Sequence, residues 1–206
     1  RHRPPRSQRG VDGVEQREGD FTELRQIAQG IHLTHEISDR TRARVMANGE
    51  LMATEIGSRF LQGQGIDVAW WDARPGLFAE TRNAASSRGN WLAATCDFSP
   101  DEALGKRLSG MAPVVITQGF IASDAAGDTV LLGRGGSDTS GAYFAAKLQA
   151  RRLEIWTDVP GMFSANPRST PTSRLLRELH YDEAQEIASS GAKVLHPRCV
   201  MPVRMH

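Results

Sequence analysis

Long apolar runs and a strong charge of one sign are both missing from this 206-residue chain. No apolar run approaches the roughly 20 residues that a membrane-spanning helix needs, and no signal-peptide pattern is present. With 25 Lys and Arg against 24 Asp and Glu, the formal net charge is +1, which argues against a surface for nucleic acid or for membranes. We therefore expect neither a nucleic-acid nor a membrane partner.

Cysteine is also scarce. The chain has two cysteines, Cys96 and Cys199, in unrelated sequence contexts. This usage favours two buried, inert thiols over a disulfide and is typical of a reducing compartment. We accordingly expect a cytoplasmic protein.

The chain does contain enough apolar sequence for one folded domain. Hydrophobic residues make up 39% of it, which is sufficient for a core. The opening stretch, Arg1 to Gly19, is instead polar, basic and proline-containing, a composition typical of disorder. We predict a disordered or non-native segment over residues 1–20 and a single, partial domain over residues 21–206.

Helical and strand-like segments alternate along that domain. Apolar residues at helical spacing predict helices at 21–38 and 44–61. Further helices are predicted at 137–150, after a glycine-rich stretch, and at 181–190, before Gly191. Short apolar runs predict strands at 66–71 and 114–118, a strand from Arg152 that ends at Thr157 and Asp158, and a hairpin over 120–132. Such alternation predicts an α/β fold with a mainly parallel sheet that is covered by helices on both faces.

The most informative stretch is Leu132-Gly133-Arg134-Gly135-Gly136-Ser137-Asp138-Thr139. Its glycines permit a tight turn close to a ligand, and the helix predicted to begin at Ser137 or Asp138 offers unpaired N–H groups and a partial positive charge. Arg134 adds a planar fork that suits a carboxylate or a phosphate. These features predict an anion site, while the same pattern also fits a glycine-rich turn with an N-cap and a surface arginine.

Two further stretches place polar residues where a ligand would bind. Thr157 and Asp158 fall at the carboxyl end of a predicted strand, which is where open α/β sheets bind ligands. Gly191 is predicted to close the preceding helix in a left-handed conformation, and Lys193 projects from the next loop.

In this order, the stretches resemble the aspartokinase branch of the amino acid kinase family. The matching text is NGELMAT (48–54), ITQGFIAS (116–123), LGRGGSDTS (132–140), EIWTDVPGMFSANPR (154–168) and GAKVLHP (191–197). The resemblance covers roughly residues 44–203, and the motifs together are far more specific than any one alone. WWDAR (70–74) and SANPR (164–168) also resemble aspartokinase domains that are fused to a diaminopimelate decarboxylase.

The resemblance implies a three-layer α/β/α sandwich with the amino acid kinase (carbamate kinase-like) fold, truncated here at both ends. It implies an aspartate kinase, which uses ATP to phosphorylate the β-carboxylate of L-aspartate in the first step of lysine, threonine and methionine biosynthesis. L-Aspartate and ATP are thus the expected ligands. Mg²⁺ is expected to accompany ATP, held mainly by phosphates and without a protein ligand. The full-length protein is expected to form a homodimer.

The resemblance also assigns the acceptor site. Arg134 is expected to bind the α-carboxylate of aspartate and Glu50 its ammonium group, with Gly135 and Ser137 completing the substrate site. Asp138 orients the catalytic lysine in the family, so Arg134 and Asp138 are the expected catalytic residues. Glu50 also fits a solvated helix glutamate, and Ser137 also fits a helix cap.

The residues that the resemblance assigns to ATP all lie in the second half of the chain. They are Thr157, Asp158, Phe163, Arg168, Lys193 and Val194. Arg168 and Lys193 are expected to meet the phosphates, whose charge requires cations in a partly dry cleft. Relatives often carry tyrosine at Phe163, so a ring face is kept there while a hydroxyl hydrogen bond is lost.

One family element is missing. Aspartokinases begin with a strand and a glycine loop that reads like V-x-K-F-G-G-T-S, and its lysine serves the transferred phosphoryl group. No such text occurs in this sequence. Three interpretations stay open: an aspartokinase catalytic fragment, a catalytically incompetent piece that lacks this loop, and another kinase of the family that acts on acetylglutamate, glutamate or uridylate.

Overall fold

The structure is a computed structural model that describes residues 8–80, 87–191 and 194–205, and the side chains of these residues except 8–20 and 87. Within these ranges no helix is both long and apolar enough to cross a membrane.

Two long helices open the described chain. Helix α1 spans Gln8–Thr34 and helix α2 spans Asp39–Gly63. Ser38 caps α2 by accepting a hydrogen bond from the Thr41 N–H. The helices predicted from residues 21 and 44 are confirmed, and α1 begins at Gln8, inside the segment predicted to be disordered.

Small residues on α2 let this helix lie close to the strands. Ala43 and Ala47 are fully buried and pack in one cluster with Ala73, Ile121 and Leu131. Because alanine side chains are short, the backbone of α2 approaches its neighbours closely there.

Strands β1 (Val68–Trp70) and β2 (Val114–Ile116) form a parallel pair in which Val68 lies opposite Val114. Parallel strands need a crossover connection. This crossover contains helices α3 (Ser87–Leu92) and α4 (Glu102–Ser109). The predicted strands at 66–71 and 114–118 are therefore confirmed, although both are short.

Strands β3 (Ile121–Ser123) and β4 (Thr129–Leu131) form the predicted hairpin. Asp124 closes its turn, because its Oδ1 accepts hydrogen bonds from the N–H groups of Ala126 and Asp128. Every residue of both strands is buried, so the hairpin lies inside the core.

Helix α5 (Gly136–Lys147) follows the hairpin, and helix α6 (Tyr181–Ser189) follows a long loop. Gly191 has a φ of +102°, as predicted for a residue that ends a helix. The described chain then forms a short 3-10 helix, Pro197–Cys199, which leads directly into helix α7 (Val200–Arg204).

The strand predicted to end at Thr157 and Asp158 is not formed, and this prediction is wrong. Residues 152–157 are neither helix nor strand, and a bend follows at residues 158–159. Leu153 and Ile155 still alternate with exposed neighbours and pack on the cluster of Ala142, Cys199 and Val200. The side chains therefore have the period of a strand, but no strand of the described residues pairs with this backbone.

The prediction of two buried thiols is confirmed. Cys96 and Cys199 are both free and buried. Burial raises the pKa of Cys96 to about 12 and that of Cys199 to about 11. Both groups stay protonated near neutral pH and are poor nucleophiles.

Candidate active site

A four-residue turn, Gly133 to Gly136, joins β4 to α5. Gly135 is the N-cap of α5 and has a φ of +65°, a left-handed conformation that favours glycine. No side chain caps this helix, so the predicted capping role of Ser137 is wrong: the helix begins at Gly136, ahead of the serine. The Gly136 N–H donates to the Gly133 carbonyl at 3.0 Å, whereas in the described chain the N–H groups of Ser137 and Asp138 are available to an anion.

Glycine is required in this turn because other parts of the chain approach it closely. A Cβ on Gly135 would lie 2.4 Å from both Cβ and Cγ of His196, and a Cβ on Gly136 would lie 2.6 Å from Phe120 Cδ2. Phe120 itself has a φ of +69°, and its N–H donates to Ser140 Oγ at 2.7 Å. The turn is therefore enclosed by the segments around residues 120 and 196.

The residues of the turn that are expected to bind aspartate differ in their exposure to solvent. Arg134 and Ser137 are exposed, whereas Asp138 is half-buried. In the part of the chain that the structure describes, no side chain is ion-paired or hydrogen-bonded to the Arg134 guanidinium. Its planar set of donors is consequently open to a ligand.

Glu50 is half-buried on α2, and a hydroxyl connects its helix to the strands. Thr54 Oγ1 donates to the Glu50 carbonyl at 2.8 Å and accepts from Trp70 Nε1 at 3.0 Å and from Gln118 Nε2 at 2.8 Å. Gln118 is 1% exposed, and its Oε1 accepts the Ala73 N–H at 2.8 Å. This network fixes the part of α2 that carries Glu50.

The same network ends at the turn. Gly119 follows Gln118, and a Cβ on it would lie 3.0 Å from Ser137 Cα and 3.2 Å from Ser137 Oγ. Glu50 and Ser137 are therefore joined by a short path of fixed contacts, although 87 positions separate them in the sequence.

We expect Thr54→Val to lower the free energy of unfolding by about 1–3 kcal/mol, because Gln118 and Trp70 lose their acceptor while the side-chain shape is kept. Urea unfolding of the chain measures the loss. Thr34→Val is the matched control, since the Thr34 hydroxyl donates to the Gly30 carbonyl at the exposed end of α1. Equal losses for the two variants would contradict a special role for Thr54.

His196 and Arg198 lie at the turn, although no motif in the sequence predicts this contact. The Arg198 N–H donates to His196 Nδ1 at 3.3 Å. Burial, and then the positive charges of Arg198 and Arg134, lower the pKa of His196, while Asp138 opposes them. The ring is therefore neutral near pH 7, and it acts as a packing surface and as an acceptor. Pro197, at the first helical position after it, is the local signal for a helix start here.

The residues expected to bind ATP are only partly brought together. Thr157 and Val194 line one cavity of about 260 Å³, whose other walls are residues 155, 156, 159–162 and 195. Asp158 is exposed and accepts a hydrogen bond from Thr157 Oγ1 at 3.2 Å.

Phe163 and Arg168 do not line this cavity. Phe163 forms an isolated antiparallel bridge with Leu175. Arg168 is exposed, and its N–H donates to Asn166 Oδ1 at 3.0 Å. Lys193 lies outside the described residues. Among those residues, no group of three His, Cys, Asp or Glu could hold a metal ion.

Comparison with known proteins gives the relatives of this chain. The model of the amino acid kinase family matches residues 6–206. The bifunctional aspartokinase/homoserine dehydrogenase of Buchnera aphidicola is 37% identical over 188 residues, which cover 89% of this chain and 22% of the relative. Lysine-sensitive aspartokinase 3 of Escherichia coli is 37% identical over 158 residues, or 77% of this chain and 34% of the relative. The chain thus spans about a third or less of these relatives. The fused decarboxylase stays a prediction.

Solved structures agree in fold. E. coli aspartokinase III in complex with aspartate and ADP has a TM-score of 0.76 and 33% identity, over 92% of this chain and 41% of that one. Its complex with lysine and aspartate gives a TM-score of 0.73. The predicted α/β fold and the resemblance to aspartokinases are both confirmed. The chain belongs to the amino acid kinase family.

Proposed function

We propose that this chain forms part of the catalytic domain of an aspartate kinase, which transfers the γ-phosphoryl group of ATP to the β-carboxylate of L-aspartate. The observation that carries the proposal is the Gly133–Gly136 turn, which presents the Arg134 guanidinium beside the uncapped N-terminus of α5. Similarity to aspartokinase III, solved with aspartate and ADP, supports the same pair of ligands.

The acceptor site needs partners for both charged groups of aspartate. Arg134 binds the α-carboxylate through two parallel N–H donors, a geometry that lysine lacks. Glu50 binds the ammonium group, and the half-buried position of its side chain strengthens this attraction relative to bulk water. Gly135 and Ser137 border the bound amino acid.

The chemistry requires positioning more than proton transfer. The β-carboxylate is already ionised at neutral pH, so it attacks phosphorus without a general base. Two anionic reactants must then be held in line while cations offset their repulsion. We assign Asp138 to orient the lysine that serves the transferred group in the family. The motif that carries that lysine does not occur in this sequence.

The nucleotide is assigned to the cavity that Thr157 and Val194 line. Its volume of about 260 Å³ accommodates part of a nucleotide. We assign Asp158 and Phe163 to contacts with the part of the nucleotide that lies outside it. Arg168 and Lys193 supply the positive charge for the phosphates. Mg²⁺ is bound through the phosphates and water, and we assign it no protein ligand.

Calorimetric titration of the chain with L-aspartate, L-glutamate, N-acetyl-L-glutamate and UMP tests the acceptor. L-Aspartate is expected to bind most tightly, and a preference for any other compound would reject the proposal in favour of another kinase of the family. A hydroxamate assay with ATP and aspartate then tests turnover. Aspartate binding without hydroxamate formation would identify the incompetent form that lacks the lysine loop.

Lys193→Met is expected to weaken ATP and ADP binding by about 10- to 150-fold, because a charged hydrogen bond to phosphate is worth about 1.5–3 kcal/mol. Adenosine binding should change less than about twofold, since adenosine carries no phosphate. Lys106→Met is the control, because Lys106 pairs with Glu102 on the surface of α4. Equal losses for ATP and adenosine would contradict the phosphate contact.

The wider setting is also a proposal. We infer that the full-length protein is a cytoplasmic homodimer in the biosynthesis of lysine, threonine and methionine. One relative is a bifunctional aspartokinase/homoserine dehydrogenase and another is a lysine-sensitive aspartokinase, which supports the pathway. Sedimentation of the full-length protein measures the oligomeric state.

A further inference from the structure

Arg198 lies in the C-terminal segment 196–204 and contacts the backbone just before the turn Gly133 to Gly136. Its Nη1 donates to the Leu132 carbonyl at 2.5 Å, and its Nη2 donates to the Ala94 carbonyl at 2.6 Å. A longer contact of 3.5 Å joins Nη2 to Thr95 Oγ1. The fork of the guanidinium thus bridges two separate backbone segments through two different nitrogens, whereas a lysine would have to reach both carbonyls from a single nitrogen.

Leu132 is the last residue before the turn, and both of its backbone polar groups are fixed. It is 0% exposed, and its N–H donates to the Phe120 carbonyl at 2.9 Å. A buried carbonyl needs a donor, and Arg198 provides one. The Ala94 N–H donates to the Leu131 carbonyl at 2.8 Å, so Arg198 strengthens an existing connection between residues 94 and 131–132.

The same C-terminal segment also packs against Gly135, within the turn. The His196 ring lies against Gly135, as the 2.4 Å separation from a Cβ placed on that glycine indicates. The Cys199 N–H donates to the His196 carbonyl at 3.0 Å, and Cys199 packs against Ala142 of α5. Leu132, just before the turn, and Gly135, within it, are therefore both held from residues 196–199.

We propose that Arg198 is a positioning residue for the acceptor site. By holding the carbonyls of Leu132 and Ala94, it fixes the backbone from which Arg134 projects toward the carboxylate of the acceptor amino acid. The guanidinium of Arg198 is occupied by these carbonyls, so it acts through Arg134 and does not itself bind substrate. This inference rests on the proposed function for its ligand, L-aspartate.

The test compares the wild-type chain with Arg198→Met and Arg198→Lys. Amide exchange, followed by NMR, reports the turn directly: the N–H groups of Leu132 and Gly136 are bonded to Phe120 and Gly133. We expect both to exchange at least about tenfold faster in Arg198→Met. Aspartate binding should weaken by about tenfold while ADP binding changes less than about threefold. Arg198→Lys, which keeps the charge and loses the fork, should recover only part of the aspartate affinity.

Arg204→Met is the matched control. Arg204 lies on the same C-terminal segment, but its Nη1 pairs with Asp182 Oδ1 of α6 at 2.7 Å, away from the turn. Exchange at Leu132 and Gly136 should stay at the wild-type rate in this variant. The Asp128 N–H, bonded to Asp124 in the hairpin turn, is an internal reference that should not change in any variant.

Three results would test the role of Arg198. Unchanged exchange at Leu132 and Gly136 in Arg198→Met would overturn the inference. Faster exchange that extends to Asp128, with equal losses for aspartate and ADP, would also overturn it, because the role would then be general stability. If the wild-type chain does not bind aspartate, the proposed function fails, while faster exchange confined to the turn still establishes that Arg198 holds it.

Discussion

Replacing Arg134 with alanine is expected to weaken L-aspartate binding by roughly 30- to 700-fold, the equivalent of about 2–4 kcal/mol for the loss of a bidentate carboxylate contact. ADP binding should change less than about threefold, since the nucleotide is assigned to a different cavity. The reason for so large an effect is that Arg134 has no protein partner among the described residues, so its donors are free to be satisfied by the ligand. Calorimetry with aspartate and with ADP measures both constants.

Arg134→Lys separates charge from geometry. Lysine keeps the positive charge but cannot form two parallel bonds to one carboxylate, so we expect a loss of about tenfold or more. Arg25→Ala is the control for net charge, because Arg25 is an exposed residue of α1. Wild-type aspartate affinity in Arg134→Ala would reject the assignment of this arginine.

The second large effect is expected for Gly135→Ala, which should lower the free energy of unfolding by about 2–4 kcal/mol. About 1–2 kcal/mol comes from the left-handed backbone, and the rest comes from displacing His196. Gly127→Ala isolates the first contribution, because Gly127 has a φ of +81° but no heavy atom within 4 Å of its Cβ position. We expect about 1 kcal/mol for that variant. Urea unfolding of both variants gives the difference.

A double variant, Gly135→Ala with His196→Ala, tests the cause. Removing the imidazole ring takes away Cγ and Cδ2, two of the three atoms nearest to the added methyl group. The double variant should therefore lose less stability than the two single variants together. Strict additivity, or equal losses for Gly135→Ala and Gly127→Ala, would mean that the contact with His196 carries no energy.

The parts of the fold that depend on local sequence could be predicted. The hairpin follows from the turn at residues 126–128, and α5 and α6 follow from the glycines that precede the first and end the second. Local sequence could not show whether residues 152–157 form a strand, because a strand exists only if another strand pairs with it. Its side chains alternate between half-buried and exposed as in a strand, but its backbone has no strand beside it in the described chain.

The candidate site likewise has one part that could be predicted from local sequence and another part that could not. The turn at Arg134 is a local motif and was identified from eight consecutive residues. The contacts that hold it join distant positions: 66 residues separate Arg198 from Leu132, and 64 separate Gln118 from Thr54. Neither pair has a spacing or a motif that would indicate contact. The start of α5 was misplaced because a glycine with a positive φ, and no side-chain hydroxyl, begins the helix.

Trp156 gives the chain its own optical probe. Four tryptophans are present, and their environments differ: Trp71 is 5% exposed, whereas Trp156 is 88% exposed and lines the cavity assigned to the nucleotide. An indole in water emits at longer wavelength than a buried one, so the long-wavelength side of the emission comes largely from Trp156. A purine that enters the cavity would cover this ring and quench or blue-shift its fluorescence. Nucleotide binding can thus be followed in unlabelled protein. The nucleotide-dependent change in fluorescence should be absent in Trp156→Phe.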